Sequence, residues 1–341
     1  MKQRAHAWVA LRALKLVNDS GRAPKLVELL SYYLSDAWNG AWLPDTLIRD
    51  MSYGHIFKMT SDPQQLGGSI EERRKVTYSQ LKSSMTGKRL CLEYAKKSEE
   101  LKKPVWVHEK VSGHLPDRVI ALNHAIIDML KMGDYPLAFY AKKTTPKAYL
   151  TKDLASKKIK DLSLSPNFSA RQIAITYFMA SHYIADAHMP LHCDLRDYGS
   201  KKQKIKRTIP KTLHPSIEEK WEDSFPDKKT LAIHDYTTDT LNDIVTKLPT
   251  GTLIEIDTKQ EYRLNNRITK PKKNEWQEMV NTCRTSHAFS KEWIKTPHKD
   301  AQALIQADGK DQFQKATNHI FHDAVESVAR IWRKAWTIYE K

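Results

Sequence analysis

Along much of this chain hydrophobic residues return every three to four positions, a spacing that predicts helices over Ala5 to Leu16, Leu115 to Met132, Arg171 to Ala187 and Ala316 to Tyr339. The period-two alternation of a half-buried strand is scarce, and runs rich in Val, Ile and Thr are few. The pattern therefore predicts an all-α fold. A hydrophobic share of 40% over 341 residues is ample for a buried core. Residues 1–341 are read as one domain, interrupted by Lys-rich, Pro-containing connectors at Lys142 to Ser169 and Thr258 to Asn274.

The helical spacing also organises chemistry. His182 and Asp186 stand four apart on one predicted helix, hence on one face, where they can grip one cation. Pro190 cannot continue that helix, so the chain should bend and bring His192 round from another direction. His214 and Glu218 repeat the four-residue spacing in a second helical pattern. Nitrogen and oxygen donors without a thiolate suit zinc in an open, catalytic setting better than a structural finger. A lone His on an apolar helix face is usually a hydrogen-bonded core residue, but two such pairs and a flanking His in a short segment argue for a metal. His188, off the common face, is read as structural or as support for the ligands. Cys193, beside His192, reads as a buried free thiol. His319, His322 and Asp323 fall in a periodic run with Trp332 and Trp336, which reads as a last helix packing on the core. Nothing in their spacing joins His108 or His114 to the cluster.

These residues resemble the zinc-dependent phospholipase C and single-strand nuclease superfamily, whose members carry H-x3-D-x5-H followed by H-x3-E or H-x3-D. The stretch Met1-Lys-Gln-Arg-Ala-His6-Ala-Trp-Val-Ala resembles the family's first helix. Trp42-Leu-Pro-Asp45 and Gly54-His55-Ile-Phe resemble the segments that give the deepest metal a carboxylate and an imidazole. Asp50 competes with Asp45, which is preferred because it follows the Trp-containing turn. The resemblance covers about residues 1–58 and 170–225. It implies a multi-helix catalytic domain of the phospholipase C type holding three zinc ions. The first would take His182, Asp186, Asp45 and His55, and the second His192, His214 and Glu218. The third would take His6, a shared oxygen of Asp186, and the amine and carbonyl of Met1, which stands where the family has Trp. The 126 residues between His55 and His182 exceed the family core, so residues 60–168 are read as a helical insertion.

The activity so implied is phosphodiester hydrolysis by a metal-bound hydroxide, with Asp45 orienting or deprotonating the water. The expected enzyme is a phospholipase C that releases diacylglycerol and a phosphorylated headgroup from glycerophospholipids, phosphatidylcholine among them. The closing His214/Glu218 pair resembles the lipase branch, although Arg4, Thr46 and Ser52 do not reproduce the family's choline pocket. The alternative is a zinc-dependent single-strand nuclease or nucleotidase. That reading draws on the interval from Met1 to His6 and on Asp197-Tyr-Gly199-Ser200, a partial likeness of a nuclease motif. A helical binding protein with purely structural zinc is the non-enzymatic alternative.

Charge changes the picture in one respect. A net +16 draws the protein toward anionic surfaces, with a phospholipid membrane as the expected substrate surface and nucleic acid as the alternative; no obligate protein partner is inferred. Lys201, Lys202, Lys204, Lys206, Arg207 and Lys211 lie between two ligand blocks and should sit at the rim if those blocks converge, though charge runs are usually solvated faces. Three cysteines, and an N-terminal stretch interrupted by Arg12 and Lys15, predict a cytoplasmic location or export without a signal peptide. No internal repeat, P-loop or dinucleotide fingerprint is present.

Overall fold

The helix that carries His182 and Asp186 starts on a reciprocal cap. The Gln172 backbone N–H donates to Ser169 Oγ at 3.2 Å, and the Ser169 N–H donates to Gln172 Oε1 at 2.9 Å. The helix runs Ala170–Asp186 and ends four residues ahead of Pro190, which opens a new single turn, Pro190–Cys193. The computed structural model describes residues 1–48, 54–76, 97–112, 114–142, 169–225 and 275–340. Of these, 70% are helical and 6% lie in strands, so the fold is all-α. Asp50, Ser52, Cys91 and the connectors 143–168 and 258–274 lie outside the described residues.

In chain order the principal helices are α1 (Gln3–Asp19), α2 (Pro24–Tyr32), α3 (Ser35–Gly40), α4 (Leu115–Lys142), α5 (Ala170–Asp186), α6 (Pro190–Cys193), α7 (Leu213–Glu222), α8 (Glu275–Trp293), α9 (Ala301–Asp308) and α10 (Lys310–Tyr339). The four helices anticipated from periodicity are all present; α4 runs ten residues past its expected end at Met132, and the ends of the others differ from their expected bounds by no more than six. Helices α1, α4 and α5 pack on α10, and α4 and α1 also pack on α5. Trp8, Trp221, Phe225 and Phe321 form a ring cluster between α1, α7 and α10, with centroids 5.2 to 5.9 Å apart. All four are buried, and burying each side chain contributes roughly 1.5–3 kcal/mol. Two buried indoles also anchor α10: Trp332 Nε1 donates to the Tyr177 carbonyl at 3.0 Å, and Trp221 Nε1 donates to Thr317 Oγ1 at 2.9 Å. His322 and Asp323 are buried on α10, as expected for a helix packed on the core.

A small antiparallel sheet was not anticipated. Strands β1 (Met59–Thr60), β2 (Arg73–Val76) and β3 (Val105–His108) are ordered β1-β3-β2, with Met59 opposite Val107 and Val76 opposite Val105. Its pattern was hidden because β1 is two residues long and β2 reads Arg-Arg-Lys-Val. The sheet fastens the site's edges together. The Phe57 N–H donates to the His192 carbonyl at 3.1 Å, and Met59 bridges to Asp194, which sets the segment after His55 alongside the one after His192. Val105, Val107, Leu115, Val119 and Ile126, from the stretch read as an insertion, join the same hydrophobic core as α1 and α5. No helix among the described residues is long and apolar enough to cross a membrane.

His287, on α8, is buried and neither ring nitrogen has a hydrogen-bond partner. Burial pushes its pKa down to about 4, against the opposing pull of Asp194. A folded-state pKa below the unfolded 6.5 means that protonation favours unfolding, so stability is lost as pH falls from about 6.5 toward 4. The gap corresponds to about 3 kcal/mol. His287→Leu should therefore stabilise the protein more at pH 5 than at pH 7. Thermal unfolding at the two pH values checks this, and equal shifts would contradict it.

Candidate metal centre

Helices α1, α5, α6 and α7, the turn Pro44–Ile48 and the segment at His55 converge around Asp186, the last residue of α5. Its carboxylate is 1% exposed. Oδ2 lies 2.8 Å from His55 Nδ1 and 3.3 Å from His182 Nε2. Oδ1 lies 3.5 Å from each of the Met1 amine, His6 Nε2 and His192 Nδ1. Each oxygen thus faces a different set of nitrogens, the arrangement of a carboxylate that bridges cations.

Around it the donors fall into three groups: Asp45, His55 and His182; His192, His214 and Glu218; and His6, His182 and Asp186. Within each, one donor atom per residue lies within 4.8 Å of the others. Donors on a tetrahedral zinc, each bonded at about 2.1 Å, sit roughly 3.4 Å apart. The observed separations bracket that value: His182 Nε2 to Asp45 Oδ1 is 3.6 Å, His214 Nε2 to Glu218 Oε1 is 3.1 Å and His192 Nε2 to Glu218 Oε1 is 3.8 Å. All nine residues expected from the sequence to hold metal therefore share one locus. The Met1 amine joins it by donating to Glu218 Oε1 at 2.5 Å.

Two histidines are held with one nitrogen occupied and the other turned inward. His182 Nδ1 donates to the Ala41 carbonyl at 2.7 Å, leaving Nε2 toward Asp45 and Asp186. That carbonyl reaches it because α3 ends on Gly40, where a Cβ would come within 2.8 Å of the Phe178 Cβ on α5. His214 Nδ1 donates to Asp197 Oδ2 at 2.8 Å, leaving Nε2 toward Glu218. Such outer partners fix the tautomer of a ligating imidazole. Asp197 also takes Arg207 Nη1 at 2.5 Å and Lys58 Nζ at 3.3 Å, while Lys58 donates to the Leu191 carbonyl. Neither Ala41 nor Lys58 was visible in the sequence, and Asp197 stood out only as part of a motif likeness.

Electrostatics point the same way. Burial holds the His6 pKa well below its usual value, with the charges of His182 and the terminal amine adding to the effect. Burial does the same to His192 in spite of Asp186. Burial alone would raise Asp186 and Glu218. For Asp186 the charges of His192, His182 and the amine outweigh it, and for Glu218 the amine and His214 do, so both carboxyls sit well below the usual range. Neutral His6 and His192 beside ionised carboxylates suit metal binding, whereas at His214 burial is outweighed by Glu218 and Asp197, which push its pKa up, so a cation bound there must displace a proton. Both ring nitrogens of His6 and Nδ1 of His192 are buried without a hydrogen-bond partner, which a purely structural role leaves unexplained. These nitrogen and oxygen donors could hold a metal ion.

No family model, curated protein or solved structure matches the chain. The meaning of the site therefore rests on its own donors.

The remaining sequence candidates fall elsewhere. His188 is buried with Nε2 2.9 Å from Ser327 Oγ, so it ties α5 to α10. His108 lies on β3 with Nε2 3.8 Å from Glu72, and His114 precedes α4. Cys193 and Cys283 are buried free thiols.

Glu222, one turn beyond Glu218 on α7, was overlooked. Its carboxylate accepts the Arg4 N–H at 3.0 and 2.9 Å and the Ala5 N–H at 3.3 Å, capping α1 from a neighbouring helix. It thereby sets the height of Met1 and His6 over Glu218. Glu222→Ala should cost about 1–2 kcal/mol and weaken metal uptake at the His6 group more than at the His214 group. Urea unfolding with zinc titration measures both, and equal loss at the two groups would refute the positioning role.

Proposed function

We propose that the protein is a zinc-dependent phosphodiester hydrolase of the phospholipase C type, cleaving glycerophospholipids to diacylglycerol and a phosphorylated headgroup. The observation that supports this best is the Asp186 carboxylate facing all three donor groups, because clustered cations suit phosphate-ester cleavage. Asp45, His55, His182 and Asp186 would hold one zinc, His192, His214 and Glu218 a second, and His6, Asp186 and the Met1 amine and carbonyl a third. When bound, the metals offset charge on phosphoryl oxygens and lower the pKa of water toward neutrality. Among the cluster's carboxylates Asp45 is the most open, 24% exposed against 15% for Glu218 and 1% for Asp186. That access suits it to orient the attacking water and take its proton.

Lipid is preferred because Leu47 and Ile48, 77% and 39% exposed, stand just past Asp45 on the same turn, an apolar lip suited to an acyl-chain surface. A specific observation also favours single-stranded nucleic acid: Asp197 of the nuclease-like motif is the residue that orients His214. Buried Cys193 and Cys283 as free thiols fit a reducing compartment.

Zinc-loaded protein offered mixed-headgroup vesicles and single-stranded nucleic acid in parallel should release diacylglycerol from the first and no nucleotide from the second. Nucleotide release without diacylglycerol would make it a nuclease, and neither product would remove both readings.

A further inference from the structure

A cavity of about 550 Å3 lies between the turn Ser200–Ile205 and the segment that leads into α7, lined by Lys201, Lys204, Lys206, Arg207 and Lys211. No carboxylate lines it, and among the described residues only Arg207 of these five has an ion-pair partner, Asp197. Four lysines and an arginine line one concavity with no carboxylate among them, a composition that suits a polyanion.

This cationic loop is built into the fold. Ser200 and Ile205 exchange backbone hydrogen bonds of 2.9 Å in both directions, and Ile205 is buried with Leu66 and Leu195. Gly67 lies flat against its back, where a Cβ would come within 1.6 Å of the Gln203 carbonyl oxygen. Lys204 has φ +57°, the single positive value at a non-glycine among the described residues. Glycine is the usual occupant of that conformation, so the lysine keeps a cation on the rim at a conformational cost. The cavity also joins the metal centre, since Arg207 bonds Asp197, which bonds His214.

No aromatic side chain lines the cavity, which disfavours a single strand bound by base stacking. Ile70, 81% exposed, lies three residues past Gly67, whose backbone abuts Gln203 of the loop, so that segment offers an apolar side chain to a membrane surface.

We propose that this cavity binds the phosphate groups of an anionic phospholipid headgroup, making the substrate a glycerophospholipid with headgroup phosphate rather than a zwitterionic one. As a statement about substrate this rests on the phospholipase reading; as a statement about binding it stands alone.

The test is co-sedimentation of the full chain, at physiological salt so that distant charges are screened. Vesicles of phosphatidylcholine alone are compared with the same vesicles containing phosphatidylinositol bisphosphate. Lysine at an anionic surface contributes roughly fivefold each, so Lys201→Ala, Lys206→Ala and Lys211→Ala together should weaken binding to the second vesicles on the order of a hundredfold. Lys204 is left intact because of its backbone. A control chain with Lys25→Ala, Lys310→Ala and Lys315→Ala, exposed sites on other elements, removes the same charge and should bind nearly as wild type. Equal loss in both chains would mean that net charge alone is sensed and would overturn the cavity. So would a cavity-variant defect seen only with a single-stranded oligonucleotide. Diacylglycerol release from the same vesicles is read separately: cavity-dependent binding without release would leave the subsite standing and remove the phospholipase.

Discussion

Replacing Asp186 by Asn should abolish turnover, lowering it on the order of a thousandfold or more, since even an outer partner of a ligand is worth ten- to a hundredfold. Asn keeps the shape of the side chain and deletes its charge. The amide has one oxygen, whereas the carboxylate presents Oδ2 to His55 and His182 and Oδ1 to His6, His192 and the Met1 amine. The group of His6, His182 and Asp186 loses a member outright, the group of Asp45, His55 and His182 loses the charge beside two of its imidazoles, and His192, His214 and Glu218 keep all three of their donors. Metal analysis of the purified variant should therefore show fewer zinc ions per chain than wild type, with helix content preserved. Full zinc content with lost turnover would confine Asp186 to the chemical step. Retained turnover would reject the bridging role altogether.

Asp197→Asn should have the second largest effect and a different signature. In the wild type, burial would raise the Asp197 pKa, but Lys58, His214 and Arg207 together hold it down to about 2, against an ordinary 3.8. A depressed carboxyl pKa contributes stability that is present above about pH 4 and lost as pH falls toward 2. The shift corresponds to about 2 kcal/mol. Removing the charge also leaves a buried lysine facing an amide, and breaking a buried pair in this way costs about 3–5 kcal/mol. His214 loses the acceptor that fixes its tautomer, so zinc should bind its group ten- to a hundredfold more weakly, about the usual loss for an outer carboxylate. Calorimetry of metal-free protein reads the first effect and zinc titration the second. Normal zinc affinity in a destabilised variant would show Asp197 to be structural only.

Much of this arrangement was legible before any coordinates. The four long helices followed from apolar spacing, and the pairs His182/Asp186 and His214/Glu218 followed from helix geometry, because contacts four residues apart are local. His6, Asp45 and His55 came instead from motif likeness, since nothing local tells a chain that they meet α5. What stayed hidden depends on tertiary approach. The Ala41 carbonyl serves His182 through backbone, which has no residue-type signature, and its reach depends on the missing side chain of Gly40. Glu222 looked like one more surface acid on α7 until α1 was laid across it. The sheet was invisible because a strand of two residues and another of three consecutive cations carry no alternation to read. Residues 60–168 were set apart as an insertion, yet their described part shares the core with α1 and α5.

The closing helix carries a consequence for how the protein is made. Trp332, Thr317 and Ser327 on α10 bond to Tyr177, Trp221 and His188 respectively, on or beside the helices that present the donors. Synthesis delivers every donor, from residue 1 to Glu218, to the ribosome exit before α10 exists to clamp them. Nascent imidazoles and carboxylates must therefore wait for a segment about a hundred residues downstream, and a chain halted before it should emerge with these donors unclamped.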